Sequence, residues 1–356
     1  MHPGTLKAKL TLSLATVLLI LLAMEAGLRI IKGKLFEFEN QCIRKSTILK
    51  HYYPVMFDTR LGWAPKPGDR AGNELWINRE VTILGNGLRS NGPGQPTKER
   101  PVVLVAGDSF AFGDEVSDHE TWAALLEQWS GVPVLNGGVF GYGLDQAYLR
   151  ALTLVEEHHP QILIFQFAGD DITRCALSVR GNAPKPYFEL RDGVLSARTD
   201  HIRPLTDYEK RFTWFQRVFG YSFLVHSLMI RVNPAAWSAG QGGTQLTGEK
   251  GYPIAEALVD DLATWPSRRQ IKVLLLNTDR APGREAEQLL ARATGLGLPT
   301  ARVDERFRQA AAGDPRGEKA LLAPGGHFSP EGYRLVAEQV LEELVRQGWV
   351  PAGDLE

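Results

Sequence analysis

The chain has 356 residues, 44% hydrophobic and 23% charged, which is the composition of a globular protein with enough material for one large domain or two small ones. Its 40 Lys and Arg against 41 Asp and Glu leave a net charge of -1, so charge gives no basis for binding nucleic acid. Two cysteines, Cys42 and Cys175, are too few for a disulfide framework and stand at no metal-ligand spacing; they are expected as ordinary thiols, with no metal and no cofactor.

The first strong signal is apolar. Leu10 to Met24 reads LTLSLATVLLILLAM, and the stretch extends to Ile31 if Glu25 and Arg29 are tolerated near its end. About 20 such residues suffice to cross a bilayer. Lys7 and Lys9 would also suit the basic start of a secretory signal peptide. A cut after Ala26, however, would put Met24 at the third residue before it, where a small residue is needed, so an uncleaved anchor over residues 1–34 is the expectation. Basic residues flank the segment on both sides and do not orient it. Residues 35–99 follow as an extended lead-in, marked by the turn signals Gly62-Trp63, Pro65, Pro67-Gly68 and Asn91-Gly92-Pro93-Gly94, with short strands expected around Trp76, Ile77, Val81 and Ile83.

From residue 100 to 350 the pattern alternates. Val102 to Ala106 is a short β-branched run that predicts a buried parallel strand, leading into Gly107-Asp108-Ser109. A helix is expected over His119–Trp129, a strand over Val132–Leu135, a helix from Asp145 to about His158, and a strand over Ile162–Phe167 that ends in Ala168-Gly169-Asp170-Asp171. The alternation breaks over 178–251, which is expected as an insertion. It holds a hairpin around Asp192-Gly193, one or two aromatic-rich helices between Tyr208 and Val232, and a Gly/Ser/Thr/Gln loop. A strand over Ile271–Asn277, a helix over Arg284–Thr294, a short strand near Thr300–Val303 and a closing helix Pro330–Gln347, capped by Ser329, resume the α/β pattern. Alternating strands and helices imply a parallel sheet covered on both faces.

The residues that could carry chemistry sit at the ends of these strands. Acyl transfer by serine needs a nucleophile, a base in hydrogen-bond reach and donors for the oxyanion. Ser109, on a Gly-opened turn at a strand end, is the candidate nucleophile. His327, in a Pro-Gly-Gly loop before the last helix, is the candidate base. Gly141, after the second strand, can bring a bare backbone N–H to a substrate oxygen. Asp108 and Asp171 are expected to be structural acceptors in their turns.

These blocks resemble the SGNH (GDSL-type) hydrolase superfamily. Gly107-Asp108-Ser109-Phe110 is similar to its first block, and Asn136-x-Gly138-Val139-x-Gly141 to the block whose last glycine donates to the oxyanion. Gly169-Asp170-Asp171 resembles the Gly-Asn-Asp block, and Gly326-His327-Phe328-Ser329-Pro330 the catalytic-histidine block. Leu61-Gly62-Trp63 through Gly87-Leu88-Arg89-Ser90 resembles the lead-in of the membrane-anchored bacterial subset. The resemblance covers about residues 50–180 and 268–348. It implies a flavodoxin-like α/β/α sandwich, and ester hydrolysis or O-acyl transfer on an acylated carbohydrate of the envelope or an exported glycan. It also implies a catalytic domain on the outer side of the cytoplasmic membrane.

Two positions depart from that pattern. The acid usually found two or three residues before the histidine is replaced by Pro324 and Gly325, leaving a backbone carbonyl, Asp304 or Asp314 to orient the imidazole. The oxyanion asparagine is Asp170, which would have to be protonated to donate, or else caps its helix and points elsewhere. The sequence therefore supports a Ser109–His327 esterase or acyltransferase, with a catalytically impaired, anchored glycan-binding or assembly factor as the alternative.

Overall fold

The apolar runs do form one parallel sheet. In the computed structural model its strands are β1 (Val103–Ala106), β2 (Val134–Asn136), β3 (Ile162–Phe167), β4 (Lys272–Asn277) and β5 (Thr300–Arg302), in the spatial order β5-β4-β3-β1-β2. The structure describes residues 3–351 except 37, 43–48, 50–53, 71–78, 95, 205–211, 234–236, 238–244 and 249; Trp76 and Ile77 lie outside the described residues.

Register follows the apolar runs: Val103 lies opposite Val134 on β2 and Ile162 on β3, and β3 continues with Ile162 opposite Lys272. Successive side chains point to opposite faces. Leu104, Ala106, Leu163, Phe165 and Leu275 thus pack with the helices Leu144–His158, Gly251–Leu262 and Arg284–Gly295. Val103, Val105, Ile164, Leu274 and Leu276 pack on the other face with Trp122–Ser130 and Pro330–Arg346. The result is a three-layer α/β/α sandwich, and both faces being apolar is why the strands carry near-continuous Val, Ile and Leu. Strand order reverses between β1 and β3, so a crevice is expected at their carboxyl ends. Ser109 begins there.

The chain divides into two units, Met1–Lys45 with Arg203–Gly243, and Ser46–Ile202 with Thr244–Glu356. The stretch 178–251 is thus shared rather than one block. Its first part holds the hairpin Tyr187–Arg191/Val194–Arg198, turned through Asp192 and Gly193, both at positive φ as a two-residue turn requires. The expected aromatic-rich helices are Trp214–Phe219 and Phe223–Val232. Several features of the second unit go beyond the sequence expectations, among them the helix Gly251–Leu262 and the antiparallel pair Leu177–Arg180 with Ala183–Pro184. Val55–Asp58 and Gly62–Pro65 pair as an antiparallel ribbon, and Asp304–Gly313 is a helix.

Two residues of the lead-in are packed into the second unit. Trp63 is fully buried; its Nε1 donates to the Phe140 carbonyl at 3.1 Å, and the Tyr142 hydroxyl donates to the Trp63 carbonyl at 2.6 Å. Arg89 is buried as well. Its guanidinium donates to the carbonyls of Phe112 (2.8 Å), Gly113 and Val116 (2.6 Å), with Nε 3.3 Å from Asp118. Burial lowers the Arg89 pKa, opposed by the Asp118 charge. Both contacts brace loops that carry the site.

Candidate active site

The end of β1 is shaped by close packing. A Cβ at Gly107 would lie 2.2 Å from Gln166 Oε1, so only glycine lets the chain pass. Gln166 Oε1 accepts from the Asp108 N–H at 3.0 Å, and its Nε2 donates to Thr278 Oγ1 at 2.7 Å. Asp108 then caps the short helix Ser109–Phe112, its Oδ1 accepting from the Phe110 N–H at 2.8 Å. The helix stops after one turn because Gly113 is left-handed.

Ser109 Oγ lies 2.9 Å from His327 Nε2. The other ring nitrogen, Nδ1, lies 3.0 Å from Glu115 Oε2. With Nδ1 carrying the proton toward that carboxylate, Nε2 is left as the acceptor for the serine hydroxyl. Glu115 also holds the backbone of the histidine loop: the His327 N–H donates to Oε2 at 3.0 Å and the Gly325 N–H to Oε1 at 2.6 Å. A Cβ on Gly325 would meet this carboxylate at 2.7 Å, which gives that glycine its reason. Glu115 itself has φ +66°, a conformation rare outside glycine that costs on the order of 1–3 kcal/mol. The Phe110 ring packs against the imidazole with centroids 5.2 Å apart.

Neither Asp304 nor Asp314 approaches this chain of contacts. Asp304 pairs with Arg302 at 2.7 Å and Asp314 with Arg316 at 2.8 Å. The carboxylate on Nδ1 comes instead from the loop that follows Ser109, six residues on. The sequence did hold a signal for it. An acidic pair, Asp114-Glu115, follows the glycine that ends the Ser109 turn, but the resemblance directs attention to the loop before the histidine. Asp114 is the second acid here. It is buried, with Oδ2 3.5 Å from His327 Nε2 and Oδ1 without a hydrogen-bond partner. Burial, opposed by the charges of His327 and Arg89, pushes its pKa up to about 6.

On the oxyanion side, no acceptor among the described residues takes the N–H of Ser109 or of Gly141. Gly141 is left-handed at φ +75°, and its carbonyl accepts from Arg180 Nη1. Burial, and the nearby charge of Arg174, lower the Arg180 pKa to about 10. Asp170 does not reach the hole. Its side chain is 82% exposed, 3.5 Å from Arg174 Nη2. Its neighbour Asp171 is the buried cap, accepting from the Ala168 N–H at 2.8 Å and from Arg174 Nη1 at 2.5 Å. Burial, reinforced by the Asp108 charge, raises the Asp171 pKa. Arg174 Nη1 also lies 3.4 Å from Asp108 Oδ2, which in turn is 3.4 Å from Ser109 Oγ. Two guanidinium groups thus stand around the oxyanion side where an asparagine amide was expected.

A cavity of about 680 Å³ opens beside the pair, lined in part by Asp108 and Phe110 flanking the serine and Gly326 and Phe328 flanking the histidine. No group of three or more His, Cys, Asp and Glu among the described residues is arranged to hold a metal ion.

No family model matches the chain. It is 25% identical over 118 residues to an arylesterase of Vibrio mimicus, a match covering 31% of this chain and 59% of that protein. The chain therefore spans about three-fifths of the length of the curated relative it matches. Among solved structures it is similar to the lipase/acylhydrolase from Enterococcus faecalis, with 15% identity, 71% of this chain and 98% of that chain covered, and a TM-score of 0.37. It is also similar to a catalytic mutant of an acetylxylan esterase from Geobacillus stearothermophilus, at 13% identity, 70% and 96% coverage and a TM-score of 0.38.

Proposed function

We propose that the protein is a serine ester hydrolase or O-acyltransferase of the SGNH type, acting on acyl esters through Ser109, His327 and Glu115. The observation that carries it is the continuous chain from Ser109 Oγ to His327 Nε2 and from Nδ1 to Glu115, at 2.9 and 3.0 Å. The Ser109 hydroxyl attacks the acyl carbon as its proton passes to Nε2. Glu115 holds the imidazole in the tautomer that can accept that proton and stabilises the imidazolium that forms. The oxyanion takes the N–H groups of Ser109 and Gly141, with Arg180 holding the Gly141 carbonyl. His327 then protonates the leaving alkoxide, and water or an acceptor hydroxyl attacks the acyl-serine to release the enzyme. Asp170 has no step in this scheme.

Residues 8–31 form a helix long and apolar enough to cross a membrane. In this proposal that helix is the anchor, the domain stands on the outer side of the cytoplasmic membrane, and the substrate is an acylated, chiefly acetylated, glycan. The catalytically impaired alternative drew on the missing acid before His327 and on Asp170 in place of the oxyanion asparagine; the Glu115 contact with Nδ1 speaks against the first ground, and the second stands.

The test is covalent labelling of the detergent-solubilised chain with a fluorophosphonate. Ser109 should label, and Ser109→Ala should lose the label while its thermal unfolding stays that of the parent. Labelling that persists in the alanine variant would remove Ser109 from the mechanism.

A further inference from the structure

The first unit contains an arrangement that the ester chemistry leaves unused. Glu25 and Arg29 are charges set in the last two turns of the apolar helix Pro3–Ile31. Both are engaged. The Glu25 carboxylate accepts from the N–H groups of Phe223 (3.0 Å) and Leu224 (2.9 Å) and from Ser222 Oγ (2.8 Å), so it caps the helix Phe223–Val232. Arg29 pairs with Glu25 at 2.7 Å and donates to the Tyr221 carbonyl at 2.6 Å, with the Phe38 and Phe223 rings about it at 5.2 and 4.9 Å.

This fixes a depth. Glu25 precedes Ile31, the end of the apolar helix, by six residues, or roughly 9 Å at the helical rise. The cap of the second helix therefore lies inside the end of the apolar stretch, at the depth where amphipathic helices rest between headgroups and acyl chains. The side chains fit that position. One side of Phe223–Val232 sends Val225 and Met229 inward against Cys42, Phe212 and Trp237. Outward, Leu228 is 59% and Val232 70% exposed, and on the preceding helix Trp214 is 69% exposed with Val218 beside it. Trp214 and Tyr221 are the residue types that settle at a bilayer interface, and Lys32, Lys34 and Arg231 supply positive charge for anionic headgroups.

We propose that Trp214–Phe219 and Phe223–Val232 form a bilayer-resting element, fastened to the anchor by Glu25 and Arg29, whose exposed apolar side chains insert into the lipid interface. The partner is the same bilayer that the anchor crosses, with a preference for anionic lipid. The inference rests on residues 8–31 spanning that bilayer.

The test uses the full chain reconstituted into vesicles of mixed phosphatidylcholine and phosphatidylglycerol. Single cysteines replace Val218, Leu228 and Val232, with Leu18→Cys as the anchor control and Glu331→Cys as the water control. Each carries a nitroxide, and its collisions with oxygen and with a water-soluble nickel chelate are compared. Cys42 and Cys175 are buried, and labelling of the parent chain sets the background. The oxygen-to-chelate ratio at Val218, Leu228 and Val232 should approach that of Leu18 and exceed that of Glu331 severalfold. If Leu18 lies in lipid while the three sites behave like Glu331, the resting element is wrong and the anchor stands. If Leu18 itself behaves like Glu331, anchor and element fall together.

Discussion

The two halves of the site depart in opposite ways from the pattern that the sequence resembles. On the histidine side, the position expected to hold an acid is empty of one, yet a carboxylate from another loop meets the imidazole. One carboxylate, Glu115, takes Nδ1 and two backbone N–H groups of the same loop. On the oxyanion side, the expected position is occupied, by Asp170, but its carboxylate turns to solvent and to Arg174. A function lost from one loop can be supplied by another that the fold brings to the same place, whereas a residue kept at a position can still leave the chemistry. The comparison also separates two means of stabilisation: hydrogen bonds aimed at one ring on the histidine side, and backbone N–H groups on the oxyanion side.

Substitutions can break this comparison in order of size. Ser109→Ala removes the atom both halves serve and should lower kcat on an acetyl ester by on the order of 10⁶, the scale of losing the nucleophile of a triad. Activity within about a hundredfold of the parent would point to another nucleophile. Glu115→Gln keeps the shape but no longer favours the tautomer with the proton on Nδ1, or the imidazolium; a loss of about 10³–10⁴ in kcat, with KM little changed, is expected. A deficit below about tenfold would mean that the backbone alone orients the ring. Arg180→Ala frees the Gly141 carbonyl and removes one of the two positive charges. It should reduce kcat by about 10–10², less than the roughly 10²–10³ of removing a direct oxyanion donor, because Arg180 acts through the Gly141 carbonyl. An unchanged rate would leave Ser109 and Gly141 as the whole of the hole.

Two smaller effects sharpen the comparison. Asp114 has its carboxyl pushed up to about 6 by burial, above the 3.8 of a free aspartate. The folded state then binds this proton more tightly than the unfolded chain, so the group costs stability as pH rises through the window from about 4 to 6. Asp114→Asn should be more stable than the parent at neutral pH by on the order of 3 kcal/mol, and should lose that pH slope. A melting temperature that shows no gain at neutral pH would contradict the burial argument. Asp170→Asn, the change that would supply the asparagine of the pattern the sequence resembles, should alter the neutral-pH rate by less than about threefold, since the side chain faces water. A large gain would return Asp170 to the oxyanion hole.

Much of the fold was legible because it rests on local signals. The runs at Val102–Ala106, Ile162–Phe167 and Ile271–Asn277 are short, apolar and bounded by turn residues, and all three became strands within a residue or so of the expected ends. Ser329, followed by proline, marked its helix start, and its Oγ accepts from the Gly332 N–H at 3.2 Å. The helix Asp304–Gly313 was missed because its charged face hides the apolar period. The burial of Arg89 and Trp63 was also hidden, since composition reads them as residues of an irregular lead-in. The serine and the histidine could be found from strand ends and blocks. Glu115 had only the weak signal of an acidic pair after Gly113, because its distance to Nδ1 depends on a left-handed residue and on two loops 212 residues apart meeting at one edge.

The central claim is that Glu115 holds the proton on Nδ1 of His327. Proton NMR of the histidine ring tests it most directly. The parent chain should show one strongly downfield, exchange-protected ring N–H that disappears in His327→Ala and moves well upfield in Glu115→Gln. The same resonance left in place in Glu115→Gln would contradict the account and return the imidazole to another partner.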